Sequence, residues 1–226
     1  MDALSQFGGT LWKYYTDGGP VMHAISVLSL ASLTVIIYKL IAFRRVSLNL
    51  GDFISKVRGA LLKGNVKQAI EVCEQHRSPV AAITKSALLK YGQPRESIEK
   101  AMENAAIHEV AYLEKFLPVL ATIANIAPLL GFLGTVVGMV LSFDVIAQHG
   151  LNNPGLVAKG ISQALLTTAY GLIVAFFTQP FYNYFTAKVA AYTREIETAA
   201  NILFETFDEM ERMGDTRPAE AGARTV

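Results

Sequence analysis

Two threonines stand out because each lies inside a long uncharged run: Thr135 within Phe116–Phe143 and Thr168 within Gly160–Ala187. Small residues recur around each at helical spacing. In the first run Gly131, Thr135, Gly138 and Ser142 share one helix face with Pro128 one turn earlier, and Leu129, Leu130, Phe132, Leu133, Val136 and Val137 take the rest. In the second run Ala164, Thr168, Gly171 and Ala175 form another small face with one hydroxyl. A threonine hydroxyl both donates and accepts a hydrogen bond, so it can hold a carboxyl group in either protonation state. Two readings stay open: small faces let membrane helices pack closely, and a threonine there often bonds its own backbone. Polar groups at membrane depth also mark ion paths.

What is missing sharpens the second reading. Neither run holds Asp, Glu, Lys, Arg or His, and the earlier uncharged run Gly18–Tyr38 holds only His23. A proton relay through lipid needs a titratable group, so a conducting role requires a partner that brings the carboxylate. His23, His76, His108 and His149 are scattered, with no metal-ligand spacing. No HExxH, GxSxG or phosphate-binding glycine loop occurs. The expectation is a protein that is not an enzyme, with no cofactor and no metal.

The elements that must position these residues follow from hydropathy. Of the 226 residues 52% are hydrophobic and 17% charged, with a mean hydropathy of +0.33, too apolar for an ordinary soluble domain. Each uncharged run is long enough to cross a hydrocarbon core, which takes about 20 helical residues. The first run follows only one basic residue, Lys13, and continues into Lys39, Arg44 and Arg45, so it reads as an uncleaved helix. Lys and Arg crowd 44–115 and recur in 188–226 but are absent from 145–158, which places the N-terminus outside and the middle segment and C-terminus in the cytoplasm. Net charge +1 gives no reason to expect nucleic acid. The single cysteine, Cys73, excludes an intrachain disulfide.

The expected organisation is an outer segment 1–19, a first span 20–43, a cytoplasmic helical domain 44–115, a second span 116–146, an outer loop 147–158, a third span 159–187, a cytoplasmic helix 188–213 and a disordered tail 214–226. Within the domain Asn65 is expected to cap a helix running through Cys73 to Arg77. Ser78-Pro79 and Gln93-Pro94 read as caps with proline at the first helical position, and Gly92 as a stop. From Glu96 the apolar spacing Ile98, Met102, Ala105, Tyr112, Phe116 predicts a helix running straight into the second span. The second and third runs are each roughly 42 Å long against a core of about 30 Å. They are expected to project on the cytoplasmic side, where Ile196, Ala199, Leu203, Phe207 and Met210 form a seam for the 96–116 helix.

At these spans the sequence resembles a known family. Ala127-Pro128-Leu129-Leu130-Gly131-Phe132-Leu133-Gly134-Thr135-Val136-Val137-Gly138-Met139 is similar to the signature of the MotA/TolQ/ExbB proton channel family. So is 161–175, Ile-Ser-Gln-Ala-Leu-Leu-Thr-Thr-Ala-Tyr-Gly-Leu-Ile-Val-Ala, followed by Tyr182-Asn183-Tyr184-Phe185. The Gly18-Gly19-Pro20 start and the Arg44-Arg45 exit of the first span look more like ExbB than TolQ. The resemblance implies an all-α membrane protein of three transmembrane helices with long cytoplasmic extensions. It implies a homopentameric ring around a central pore in the bacterial inner membrane, with the outer segments periplasmic. It further implies an ExbD/TolR-like dimer of single-span chains whose aspartate faces the threonines matching Thr135 and Thr168, and a TonB- or TolA-like periplasmic effector. Several members carry glutamate where this chain has Gln163, and the family often has Ile-Pro where this chain has Phe176-Phe177 with Pro180 beyond, so any kink is displaced or absent.

The leading expectation is therefore a channel-forming subunit that couples the proton motive force to transport. A flagellar-stator subunit would have four spans. A passive oligomeric scaffold uses the same small faces without ion flow. An intramembrane enzyme needs a catalytic constellation that the runs do not offer.

Overall fold

The computed structural model describes residues 15–46, 50–150 and 154–221. The expectations on Lys13, most of segment 1–19, the middle of the loop 147–158 and the last residues of the tail fall outside them. Among the described residues every regular long element is a helix: α1 (Gly19–Val46), α2 (Leu50–Leu62), α3 (Val66–Glu74), α4 (Pro79–Leu88), α5 (Arg95–Glu114), α6 (Leu117–His149) and α7 (Pro154–Ala221). Three stretches are long and apolar enough to cross a membrane, Gly19–Arg44, Arg95–His149 and Pro154–Arg212.

The chain divides into two compact units. The membrane unit holds the chain up to Lys39 together with Phe116–Phe185, and the helical domain holds Leu40–Lys115 together with Thr186 onward. Helix α7 contributes to both. Its backbone stays helical to Ala221, past the expected end at 213, because extending an established helix costs little per residue even where apolar spacing lapses.

The helical domain is built as a water-soluble bundle is. Asn65 accepts from the Gln68 N–H at 3.0 Å and Ser78 from the Ala81 N–H at 3.2 Å, with Pro79 opening α4, as their cap chemistry predicts. Helix α3 stops at Glu74 instead of reaching Arg77. Proline biases its predecessor away from helical dihedrals, and Ser78 is extended at ψ 152°. Gln93 is not the cap of α5: Pro94 takes that position at ψ 140° without a side-chain bond, since the long glutamine side chain is a poor cap. The preceding turn closes through Gly92 at φ +84°. Phe53, Val57, Leu61, Val80, Leu88, Ile98 and Met102 form one core with Ile196, Ala199, Leu203 and Phe207 of α7. The C-terminal seam thus packs where its spacing predicted. Arg58 pairs with Glu209 at 2.9 Å, and Arg95 with Asp208 at 3.6 Å while lying over the Phe204 ring.

The helix from Glu96 does not run straight into the second span. It ends at Glu114, Lys115 turns extended (ψ 131°), Phe116 takes a left-handed φ of 68°, and α6 begins at Leu117. Pro118 is the cause: a continuous helix would set its ring against the Glu114 carbonyl, whereas in the first turn of a new helix its missing N–H costs nothing.

Candidate functional site

In the membrane unit α6 and α7 meet along a seam of small residues: Gly131, Gly134, Gly138 and Ser142 on one side, Gly160, Ala164, Thr167 and Gly171 on the other, all buried. A Cβ added to Gly138 would lie 2.7 Å from the Gly160 carbonyl oxygen and 2.9 Å from the Ala164 methyl, and one on Gly171 would lie 2.5 Å from the Ala127 carbonyl oxygen. Backbone thus meets backbone, and no larger residue fits. Ser142 closes the end of the seam next to the α6–α7 turn, its one hydroxyl proton shared between the carbonyls of Gly138 (3.0 Å) and Val157 (3.2 Å). Of the residues singled out from spacing, Gly131, Gly138, Ser142, Ala164 and Gly171 lie in this seam, while Pro128, Thr135, Thr168 and Ala175 are half-buried on its margin.

Helix α1 covers one side of this pair. Ile25 packs with Ile123, Ala127 and Val174, and Val21, Leu28 and Ala31 join Leu130 and Tyr170 around them. At about 100° per residue, Thr135 lies about 140° round its helix from Leu130, and Thr168 about 160° round from Tyr170. Both threonines therefore emerge away from α1. Thr168 donates across the seam to the Gly131 carbonyl at 2.8 Å, and Thr135 donates to the Phe132 carbonyl of its own helix at 2.6 Å. With their protons so engaged, both hydroxyls present lone pairs outward. Such a pair accepts from a protonated carboxyl directly and meets a carboxylate after the hydroxyl rotates.

Gln163 belongs to the other side. Its carboxamide sits against Gly19, where a Cβ would collide with the Gln163 side chain. Gly19 has φ +69°, a conformation natural to glycine, so the start of α1 is shaped to receive this amide. His23 is also removed from the threonines, its ring accepting or donating with the Tyr15 hydroxyl at 2.6 Å.

Spacing missed Gly134, Gly160 and the fully buried Thr167, which bonds the carbonyls of Gln163 and Ala164. The signal was present as an i, i+3 alternative to the i, i+4 steps, but one helix alone does not say which step faces its neighbour. In the helical domain, burial pushes the Cys73 thiol up to about 12, which leaves it an inert core group. Among the described residues no cluster of His, Cys, Asp and Glu could hold a metal.

Comparison with known proteins adds the family. Residues 75–198 match the MotA/TolQ/ExbB proton channel family. A protein of Methanothermobacter thermautotrophicus described as an ExbB homolog in biopolymer transport is 31% identical over 190 residues, 84% of this chain and 67% of that one. The biopolymer transport protein ExbB of Pseudomonas putida is 39% identical over 102 residues, 45% of this chain and 31% of that one. The Tol-Pal system protein TolQ of Pseudomonas aeruginosa is 39% identical over 93 residues, 41% of this chain and 40% of that one. This chain thus spans less than half the length of the last two. With both spans, their seam and their margins matched to that signature, the chain belongs to the MotA/TolQ/ExbB proton channel family, its relatives favouring the ExbB branch.

Proposed function

We propose that this chain is the channel-forming subunit of an inner-membrane motor that uses the proton motive force to drive transport or envelope work. The observation that carries the reading is the placement of Thr135 and Thr168 on the side of the α6–α7 pair away from α1, at the margin of the seam. A second side of the pair is thereby left for something outside the chain. Five copies arranged with these margins inward ring a passage, and a dimer of ExbD/TolR-like single-span chains supplies the aspartate that the uncharged spans lack. The N-terminus and the α6–α7 turn face the periplasm, where a TonB- or TolA-like effector receives the work. The basic residues of 44–115 and 188–226 stay in the cytoplasm.

The test is Thr135→Val and Thr168→Val in the complex with its partner. Each keeps the shape and removes the hydroxyl, leaving a buried carboxyl short of a hydrogen bond worth about 1–3 kcal/mol. Ion-driven activity should fall while the partner still co-purifies, and serine at either site should be milder. Thr167→Val is the control, because that hydroxyl serves only its own helix. Wild-type activity in both margin variants would leave the threonines as packing groups and the assembly as a passive scaffold. Native mass spectrometry of the detergent-purified chain should show a pentamer, and a dominant monomer contradicts the ring.

A further inference from the structure

Between α2, α4 and α7 the helical domain carries a groove. Ile54 and Val57 of α2 and Ile202 and Leu203 of α7 give it apolar walls, and Ala199 offers only a methyl to the lining. The groove encloses about 250 Å³ with its open mouth included, and most of that is mouth. Pockets for drug-sized ligands hold roughly 300–1,000 Å³, so an occupant here is small and slim.

Three polar side chains share the lining, Arg58, Thr84 and Thr206. Thr206 is engaged, since it donates to the Ile202 carbonyl of its own helix at 2.7 Å. Thr84 is not. It is only 5% exposed, yet its hydroxyl makes no hydrogen bond among the described residues and is not sealed within protein, so the groove is where it opens. Helical threonines elsewhere in α7, such as Thr178, Thr193 and Thr198, turn their protons to a carbonyl one turn back. A hydroxyl left over among apolar walls is costly until something meets it. Arg58 stands half-exposed at the rim and gives one donor to Glu209 at 2.9 Å. A guanidinium has several N–H donors and no acceptor, so the others remain for a second anion.

The free polar groups of the groove are therefore donors, and they sit on an apolar surface. A neutral chain leaves them unmet, and a bare anion leaves the walls wet. We propose that this groove is a binding site for a small aliphatic carboxylate, its chain along Ile54 and Ile202 and its carboxylate accepting from Thr84 and Arg58. Glu209 tunes the affinity, because a bound carboxylate has to share the Arg58 guanidinium with it. The site does not depend on the channel reading, since all its residues belong to the helical domain.

The experiment titrates the full chain, isoleucine methyls labelled and held in lipid nanodiscs, with sodium hexanoate and follows it by NMR. The Ile54 and Ile202 methyls should shift and saturate, while Ile98, in the same core but outside the groove, stays in place. Hexanol, a chain without the anion, and acetate, an anion without the chain, should each bind about tenfold more weakly. Thr84→Val and Arg58→Gln should each weaken hexanoate binding about threefold or more. Glu209→Gln should tighten it by a similar factor, because it frees the guanidinium. Shifts at Ile54 and Ile202 that stay linear in hexanoate overturn the site, as does acetate or hexanol binding as tightly as hexanoate. Weaker binding to Glu209→Gln, or unchanged binding to both Thr84→Val and Arg58→Gln, overturns it as well.

Discussion

The two units of this chain are all-helical yet held together by opposite means. The helical domain fills its interior with large side chains, Phe53, Leu61 and Val80 among them, and rims it with exposed ion pairs. The membrane unit removes side chains from its centre until α6 and α7 touch through backbone, and turns its large residues, such as Leu129, Phe132 and Phe176, outward. Water explains the difference. In the domain, burying apolar surface is itself the driving force. In lipid the surroundings are as apolar as leucine, so helices associate through close van der Waals contact and hydrogen bonds such as that from Thr168 to Gly131.

Substitutions of opposite kind should therefore damage the two units. The largest effect is expected from Phe53→Ala, which empties a site of 1% exposure and should cost about 3–5 kcal/mol in chemical unfolding of the domain. A loss under about 1 kcal/mol would mean that the core is not what holds the domain. Next comes Gly171→Ala, one methyl added against the Ala127 carbonyl, with an expected cost of about 1–3 kcal/mol, read as lost thermal stability in detergent. Gly59→Ala is the same change in the domain, at a helical position where a Cβ meets nothing within 4 Å. It should stabilise by roughly 0.5–1 kcal/mol. Equal signs for the two glycines would erase the contrast.

The smallest effect sharpens the domain's electrostatics. Partial burial raises the Glu109 carboxyl above its ordinary range, while His108 opposes the shift. A carboxyl raised in the folded state stabilises fully below its unfolded pKa and loses that contribution as pH rises through the folded value. Glu109→Gln should match wild type in acid and become slightly more stable than it toward neutral pH. A gap that widens on acidification would reverse the assignment.

The contrast also explains what was legible in the amino-acid order. The three spans could be read because charge is excluded from lipid over long stretches, and the caps Asn65 and Ser78 because their chemistry is local. The seam from Ile196 to Phe207 showed itself because large apolar residues at helical spacing have one place to go. The α6–α7 seam was legible only in outline. Gly131, Gly134, Thr135 and Gly138 all lie within two turns, and only the approach of Thr167 and Ala164 decides that Gly134 faces inward and Thr135 sits at the edge. Likewise, nothing local sends Gln163 toward Gly19. The break at Lys115–Phe116 was readable from Pro118, but apolar spacing on either side masked it. The burial of Cys73 changes the design of any orientation experiment: its silence toward a thiol reagent reports burial, so an exposed site such as Gln68→Cys must mark the side on which the helical domain lies.

The α6–α7 seam has a consequence for biogenesis. Its glycine faces, the Ser142 clasp and the Thr168 bond are all completed within one chain. The hairpin can therefore leave the insertion machinery with its most demanding contacts already made, before any other subunit is present. In the proposed ring, assembly then joins finished hairpins through their remaining surfaces, so a defect at Gly138 or Gly171 would appear as degraded newly made chain, and a defect at Thr135, on that proposal, as an assembled complex that does no work.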